Sequence, residues 1–406
     1  AVAGEPLTFT ADVDVVGPGA GDPSGNGQFF ADGDPIGSPV PLTGGSAVSA
    51  PVKLDAGDHL ITANYEGDTR FAGATSTLDQ EVAAAHTSTE VVVSPSPSVF
   101  GQSVTVTATV TPVAPATGEP GGGVQFTIDG QPGAFVTLED GTASISTSSL
   151  SRGTHQVTAT YFSSDPNFVT STSPAVNHTV NKAATRTTVT TNAPVAVFGQ
   201  PVTLTATVGA LAPGAGSPSG TVTFTDGDAV LGSAPVGSAT GGIASITVDS
   251  LSVGQHAVVA TYDGDDSFTG SNGSVAQKVQ RAQTSTVVSS TANPSPPGAA
   301  VRFTATVSPV APGAGVPSGT VQFKVNGAAL GAPVTLVDGA ATSPDFANLS
   351  PGTYRISAVY SGEPRFVAST GLLDQGNGQS VVKAGDRKST RLNSSHVSES
   401  RMPSSA

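Results

Sequence analysis

Along much of this chain apolar and polar residues alternate one by one. Val104, Val106, Ala108 and Val110 are separated by threonines, and the same alternation returns at Leu7, Phe9, Ala11 and Val13, at Val202, Leu204, Ala206 and Val208, and at Val301, Phe303, Ala305 and Val307. A period of two, rich in β-branched residues, predicts half-buried strands with one face on a core and a Thr-rich face in water. No window carries the spacing of an amphipathic helix.

The pattern itself repeats. A mid-unit ring recurs at Phe29, Phe126, Phe224 and Phe323, spaced by 97, 98 and 99 residues. A later pair recurs as Tyr65 and Phe71, Tyr161 and Phe168, Tyr262 and Phe268, and Tyr360 and Phe366. These twelve rings are the expected core aromatics. The period is too long for a solenoid unit and is the size of a small domain able to bury its own core. Turn dipeptides punctuate each unit: Asp32-Gly33, Asp129-Gly130, Asp226-Gly227 and Asn326-Gly327, then Gly44-Gly45, Asp140-Gly141, Gly241-Gly242 and Asp338-Gly339. About seven short strands per unit with tight hairpins predict an all-β chain. The expected architecture is four tandem antiparallel β-sandwiches of immunoglobulin type in an elongated array. The expected units are residues 1–85, which lack an opening strand, 86–183, 184–282 and 283–385. The joints near residues 81–86, 181–185 and 280–284 are too short for independent tumbling. The last strand of unit four, near GNGQSVVKAG, is the least regular.

In unit four Leu349-Ser350-Pro351-Gly352-Thr353-Tyr354 precedes alternating Ile356, Ala358 and Tyr360. It resembles the tyrosine corner of immunoglobulin-like sandwiches, in which the ring hydroxyl bonds back to the turn. His59, His155 and His256 hold that slot in the other units, where a ring N–H would replace the hydroxyl. The segments SVFGQSVTVTATVTPVAP, GAGSPSGTVTFTDGDAVLG and LSVGQHAVVATYDGDDSF resemble the bacterial immunoglobulin-like repeat family over residues 1–385. The resemblance implies a sandwich scaffold found in tandem in bacterial surface and secreted proteins. It implies an extracellular or cell-surface location, although no targeting signal is evident.

Residues 386–406, DRKSTRLNSSHVSESRMPSSA, resemble the in-frame translation of a sequencing adapter and are expected to be an unstructured artefact. With Ala1 at the other end, the sequence reads as a fragment of a longer protein. Of 406 residues, 49 are Gly and 31 Pro, the turn punctuation of the sandwiches, and Cys and Trp are absent, which excludes a disulfide scaffold. The net charge is −14, or −16 over residues 1–385 with 12 basic and 28 acidic residues, which argues against nucleic acid as partner. No apolar run is long enough to span a bilayer.

Little of the chain suggests chemistry. The loops GAGDPSG (residues 19–25), GAGSPSG (214–220) and GAGVPSG (313–319) lie between strands, with no helix to offer an N-terminus to phosphate, and read as plain connections. The corner histidines lie a domain apart, with no Cys or second His beside them, and no Gly-x-Ser-x-Gly elbow exists, so neither a zinc site nor a catalytic residue is expected. Acids precede the late Phe of each unit, and Asp263, Asp265 and Asp266 form the densest group. Calcium is the one metal such a loop could hold, although solvated turn carboxylates explain the acids more simply. No cofactor is expected. The reading is a non-enzymatic spacer whose partners are the neighbouring domains of a longer chain. Two alternatives are an adhesin-type module taking a glycan or host protein on its loops, and accessory domains of a secreted enzyme or phage virion protein. Phe135, Phe162 and Phe346, outside the repeated core positions, are the aromatics the adhesin reading would use.

Overall fold

A computed structural model describes residues 1–383; the expected artefact at 386–406 lies outside the described residues. The described residues are built of strands with two short 3₁₀ turns, Ser238–Thr240 and Asp374–Gly376. Repeat 2 shows the complete plan. One sheet holds Thr87–Ser94, Val104–Pro112 and Thr142–Thr147 in that order. The facing sheet runs Ser98–Val99, Val176–Asn181, Gly153–Ser163, Gly122–Ile128, Gln131–Thr137. All pairings are antiparallel except Ser98–Val99 with Val176–Asn181, because the opening strand crosses from one sheet to the other and lies parallel to the last strand. Repeat 3 copies the plan, with Thr185–Thr191 opening one sheet and Val195–Val197 parallel to Thr269–Gln280 in the other. These are four immunoglobulin-like sandwiches.

The alternation has its expected cause. Val104, Val106, Ala108 and Val110 are all buried, while Thr105, Thr109 and Thr111 between them are exposed. Phe29, Phe126, Phe224 and Phe323 stand on an inner strand of the larger sheet and are at most 1% exposed. Tyr65, Tyr161, Tyr262 and Tyr360 are buried one strand over, and Phe168, Phe268 and Phe366 are buried beyond them. Phe71 is only half-buried. Burying such a ring contributes roughly 1.5–3 kcal/mol, so three rings in each of repeats 2 to 4, and two in repeat 1, anchor a core rich in Val and Ala.

The dipeptides close hairpins by the left-handed backbone that both positions adopt, as in Asp129 and Gly130, at φ 51° and 76°. Repeat 3 differs by one residue: Asp226 stays in its strand opposite Ala229, and the turn moves to Gly227 and Asp228. In repeat 4, Ser369 and Gln379 are separated by four more residues than Ser271 and Gln277 in repeat 3. The extra residues form the turn Asp374–Gly376, which divides the last strand into Ser369–Leu372 and Gln379–Val381. Repeat 1 has no counterpart of Thr87–Ser94, and its first core strand is regular only over Thr10–Asp12.

Candidate functional site: corners, joints and an aromatic pair

The three corner histidines share one geometry. In repeat 3, His256 Nδ1 lies 2.6 Å from a carboxylate oxygen of Asp226, and Nε2 lies 2.8 Å from the carbonyl oxygen of Ser252. His155 meets Asp129 and Ser151 at 2.7 and 2.8 Å, and His59 meets Asp32 and Asp55 at 2.6 and 2.8 Å. Both ring nitrogens face acceptors, so both must donate, which only the imidazolium can do. The hydrogen bond to Asp32 and that to the Asp55 carbonyl raise the His59 pKa above its ordinary value. Around His155 and His256 burial works the other way, yet the serine carbonyl and the aspartate outweigh it and raise both. In turn, the histidine hydrogen bond holds the Asp32 and Asp129 carboxyls low. Tyr354 fills the slot in repeat 4, its hydroxyl donating to the Ser350 carbonyl at 3.1 Å. There Asn326 replaces the aspartate and accepts only the Arg355 amide.

The acids of the late turn fasten loops to one another. Asp265 accepts the amide and hydroxyl of Ser219 and the amides of Ser267 and Phe268. Asp68 does the same with Ser24, Arg70 and Phe71, and Glu363 accepts the Ser318 hydroxyl. Each therefore ties the Gly/Pro/Ser loop to the turn carrying the late Phe. Asp263 and Asp266 are exposed and stand apart from this knot. Among the described residues no three His, Cys, Asp or Glu side chains are placed to hold one metal ion.

The knot is half of a joint. Ala183, between repeats 2 and 3, has no exposed surface; its amide donates to Ser267 and its carbonyl accepts from Thr269, a parallel bridge alongside Phe268. Ala85 and Ala282 make the same bridge beside Phe168 and Phe366. The connecting segment is thus paired into the repeat that follows. From the preceding repeat, Phe100 reaches across to stack edge-on against Phe268, ring centroids 5.4 Å apart, while its carbonyl accepts the Ala215 amide. Phe198 repeats this against Phe366 at 5.6 Å with the Ala314 amide, and Arg365 lies over its ring. Gly216 and Gly315, in the loops read as plain connections, are the floor of this socket: a Cβ on either would press on the incoming ring. Between repeats 1 and 2 the ring is missing, since Ala3 stands where Phe100 and Phe198 do. There the Thr117 hydroxyl donates to the Gly4 carbonyl, and the Asn167 side chain bonds both Asp55 and the Ala56 amide. Phe100 and Phe198 had escaped assignment to any role, although recurrence 98 residues apart just ahead of a core strand was the available signal.

Of the unrepeated aromatics, Phe346 packs edge-on against Tyr354. Phe135 and Phe162 are exposed, 6.2 Å apart on the outer face of repeat 2, flanking Gly123.

Fold and joints together define a tandem array of immunoglobulin-like sandwiches. A family model of the bacterial Ig-like domain (group 3) matches residues 1–83, 91–181, 187–280 and 287–373, so the chain belongs to that family, four times over. Among solved structures it is similar to a chain of a 1.5-MDa bacterial ice-binding adhesin, solved in a study of its host cell surface retention (17% identity, 74% of this chain and 99% of that one, TM-score 0.25). It is also similar to the Escherichia coli adhesin FdeC (14% identity, 74% and 98%, TM-score 0.21) and to titin domains A168–A170 (12%, 71% and 98%, TM-score 0.29). No curated protein matches in sequence. Among the described residues no helix is long and apolar enough to cross a membrane.

Proposed function

We propose that these repeats are a mechanical spacer of a bacterial surface or secreted protein, holding another module at a distance set by the number of repeats. The observation that carries this is the joint. Ala85, Ala183 and Ala282 are buried and paired into the following repeat, and two joints are further closed by Phe100 and Phe198. A spacer needs bending resistance at its joints more than strength within its domains, and a connector with no free residues supplies it. Strands of about ten residues at ~3.3 Å each make a unit roughly 30 Å long, so four in line span about 120 Å. The negative charge and Thr-rich outer faces keep such a rod soluble. Small-angle scattering of the full chain tests the reading: a cross-section of one sandwich and a maximum dimension above ~100 Å are expected, and a compact particle would refute it.

A second reading, an adhesin-type surface, rests on Phe135 and Phe162. Two exposed rings on a sheet face can stack on sugar rings, and the equivalent positions of other repeats carry polar residues such as Asp263 and Ser361. A glycan array probed with the wild type and with Phe162→Ala decides it: binding lost in the variant supports it, and an empty array leaves the pair as a cover for Gly123.

A further inference from the structure

We propose that repeat 2 carries an acid-operated latch: neutral His178 fastens the opening strand where it crosses between the sheets, and protonation frees that crossover together with the Phe100 plug of the joint to repeat 3. The latch goes beyond the spacer reading, since it names a condition under which one joint bends.

Each corner residue faces a partner on the last strand. His59 pairs with Gln80, His256 with Gln277 and Tyr354 with Gln379, and only in repeat 2 is the partner a second histidine, His178 opposite His155. Gln277 and Gln379 have no exposed surface and hold the opening strand with groups that do not titrate. They accept the hydroxyls of Thr191 and Ser290 and donate to the Ala193 and Ala292 carbonyls. His178, equally buried, holds the crossover through Ser98 Oγ, 2.8 Å from Nε2, and Ser96 Oγ, 3.3 Å from Nδ1. A hydroxyl can donate or accept, so the neutral ring is satisfied with one nitrogen donating and the other accepting.

A proton on this ring meets no countercharge. His155, directly across, donates from both nitrogens and is itself an imidazolium, and its acid, Asp129, is taken up by that ring and the Gln156 amide. Glu90 of the opening strand is exposed on the outer face, and Lys182, just past the last strand, reaches the Asp265 carbonyl. Val104–Pro112, Thr142–Thr147, Gly122–Ile128 and Gln131–Thr137 contain no ionisable side chain. Like charges opposed across a strand pair repel, and burial penalises the charged form. Burial first and the His155 charge second push the His178 ring below the ordinary histidine value. The sign is opposite to that of the corner: opening becomes easier as pH falls through about 6.5, where an exposed ring takes the proton, and goes on doing so down to the depressed closed-state value. Below pH 6.5 the two histidines of repeat 2 therefore pull against each other, and the latch is read from its own amides.

The crossover has few other bonds. Ser98–Val99 pairs with the last strand over two residues, where Val195–Val197 does so over three. Phe100 follows directly, its amide donating to the Asn181 carbonyl and its ring set against Phe268, so lifting the crossover withdraws the plug. The joint between repeats 3 and 4, whose Phe198 follows a crossover held by Gln277, is the internal control.

Amide exchange of the full chain, corrected for the intrinsic effect of pH, tests this at two matching positions: the Phe100 amide on Asn181 and the Phe198 amide on Gln280. Between pH 7 and pH 5, protection at Phe100 should fall relative to Phe198 by about 5- to 25-fold, the upper figure being that of a ring that takes its proton only when open. His178→Gln, the residue the other repeats hold there, should abolish the fall, and at pH 5 the wild type should scatter as a more bent particle than the variant. Should the variant fold poorly, ring ¹⁵N shifts of the wild type decide: a neutral His178 at pH 6 beside a charged His155 supports the latch. A Phe100-to-Phe198 ratio unchanged from pH 7 to pH 5, the same fall in His178→Gln, or a charged His178 at pH 6 overturns it. None of these outcomes requires the array to be elongated, so the spacer reading stands or falls separately.

Discussion

Replacing His256 by Gln removes the one corner group that can donate from both sides at once. In the native corner Nδ1 donates to Asp226 and Nε2 to the Ser252 carbonyl, with the His256 side chain 8% and the Asp226 side chain 26% exposed. Hydrogen bonds to a charged group are worth about 1.5–3 kcal/mol each when secluded, and exposed ion pairs only about 0.2–1 kcal/mol. With the carboxylate a quarter open to solvent, roughly 1–2 kcal/mol for the whole corner is the fair figure, or about 4–8 °C per kcal/mol in the unfolding temperature of a domain this size. The sign with pH follows from the raised histidine pKa. Folding favours the proton, so the stabilisation is complete below about pH 6.5 and is lost as pH rises through the elevated folded-state value. Thermal unfolding of the full chain at pH 6 and pH 9, wild type against a triple His59→Gln, His155→Gln, His256→Gln variant, measures it. The wild type should lose stability on going to pH 9 in three repeats but not in repeat 4, where Tyr354 holds the corner, and the triple variant should lose the difference. Ring ¹⁵N shifts give an independent readout. A neutral tautomer at pH 6, or a triple variant with undiminished pH dependence, would refute the two-acceptor argument.

Other expectations follow from the joints and core. Phe198→Ala, at a half-buried ring, should cost about 1–2 kcal/mol of coupling and let repeat 4 unfold separately from repeat 3 in calorimetry, with scattering showing a wider range of bend. Gly199 has φ 78° and a Cβ there would collide with the Ala314 carbonyl, so Gly199→Ala should open the same joint without touching either core, visible as faster exchange at Ala282 and Val367. Phe224→Ala, at a site with no exposed surface, should destabilise repeat 3 by about 3–5 kcal/mol in denaturant unfolding. Calcium should leave the melting temperature unchanged, because Asp265 already spends its carboxylate on four donors of its own loops.

The sandwich could be read from the chain because strand alternation, hairpin dipeptides and recurrent rings are local signals that copy themselves with each repeat. Val104 to Val110 shows a buried face in its own spacing. The corner was half legible. His59, His155 and His256 align with Tyr354, but their acid partners sit 26 to 30 residues away in hairpin turns, where Asp32, Asp129 and Asp226 look like ordinary turn formers. The joints were least legible, because Phe100 meets Phe268 across two domains and nothing in the local pattern distinguishes a ring aimed at a neighbour from one aimed inward. The same distance hid the work of Asp265, which looks like a free carboxylate until Ser219 is brought beside it.

The stitched connectors bear on how such a chain can be rearranged. Ala183 and Ala282 belong by sequence to the end of one unit and by hydrogen bonding to the next, while Phe100 and Phe198 project in the same direction along the chain. Each coupling therefore has a plug on one side and a receptacle on the other, so units are interchangeable only in one orientation. Gene duplication copies plug and receptacle together and yields a working junction at once, whereas a cut at the sequence boundary leaves a receptacle without its connector. Lengthening or shortening by whole repeats is therefore the easy change open to this protein, and isolating a single sandwich by a cut at the sequence boundary is the damaging one.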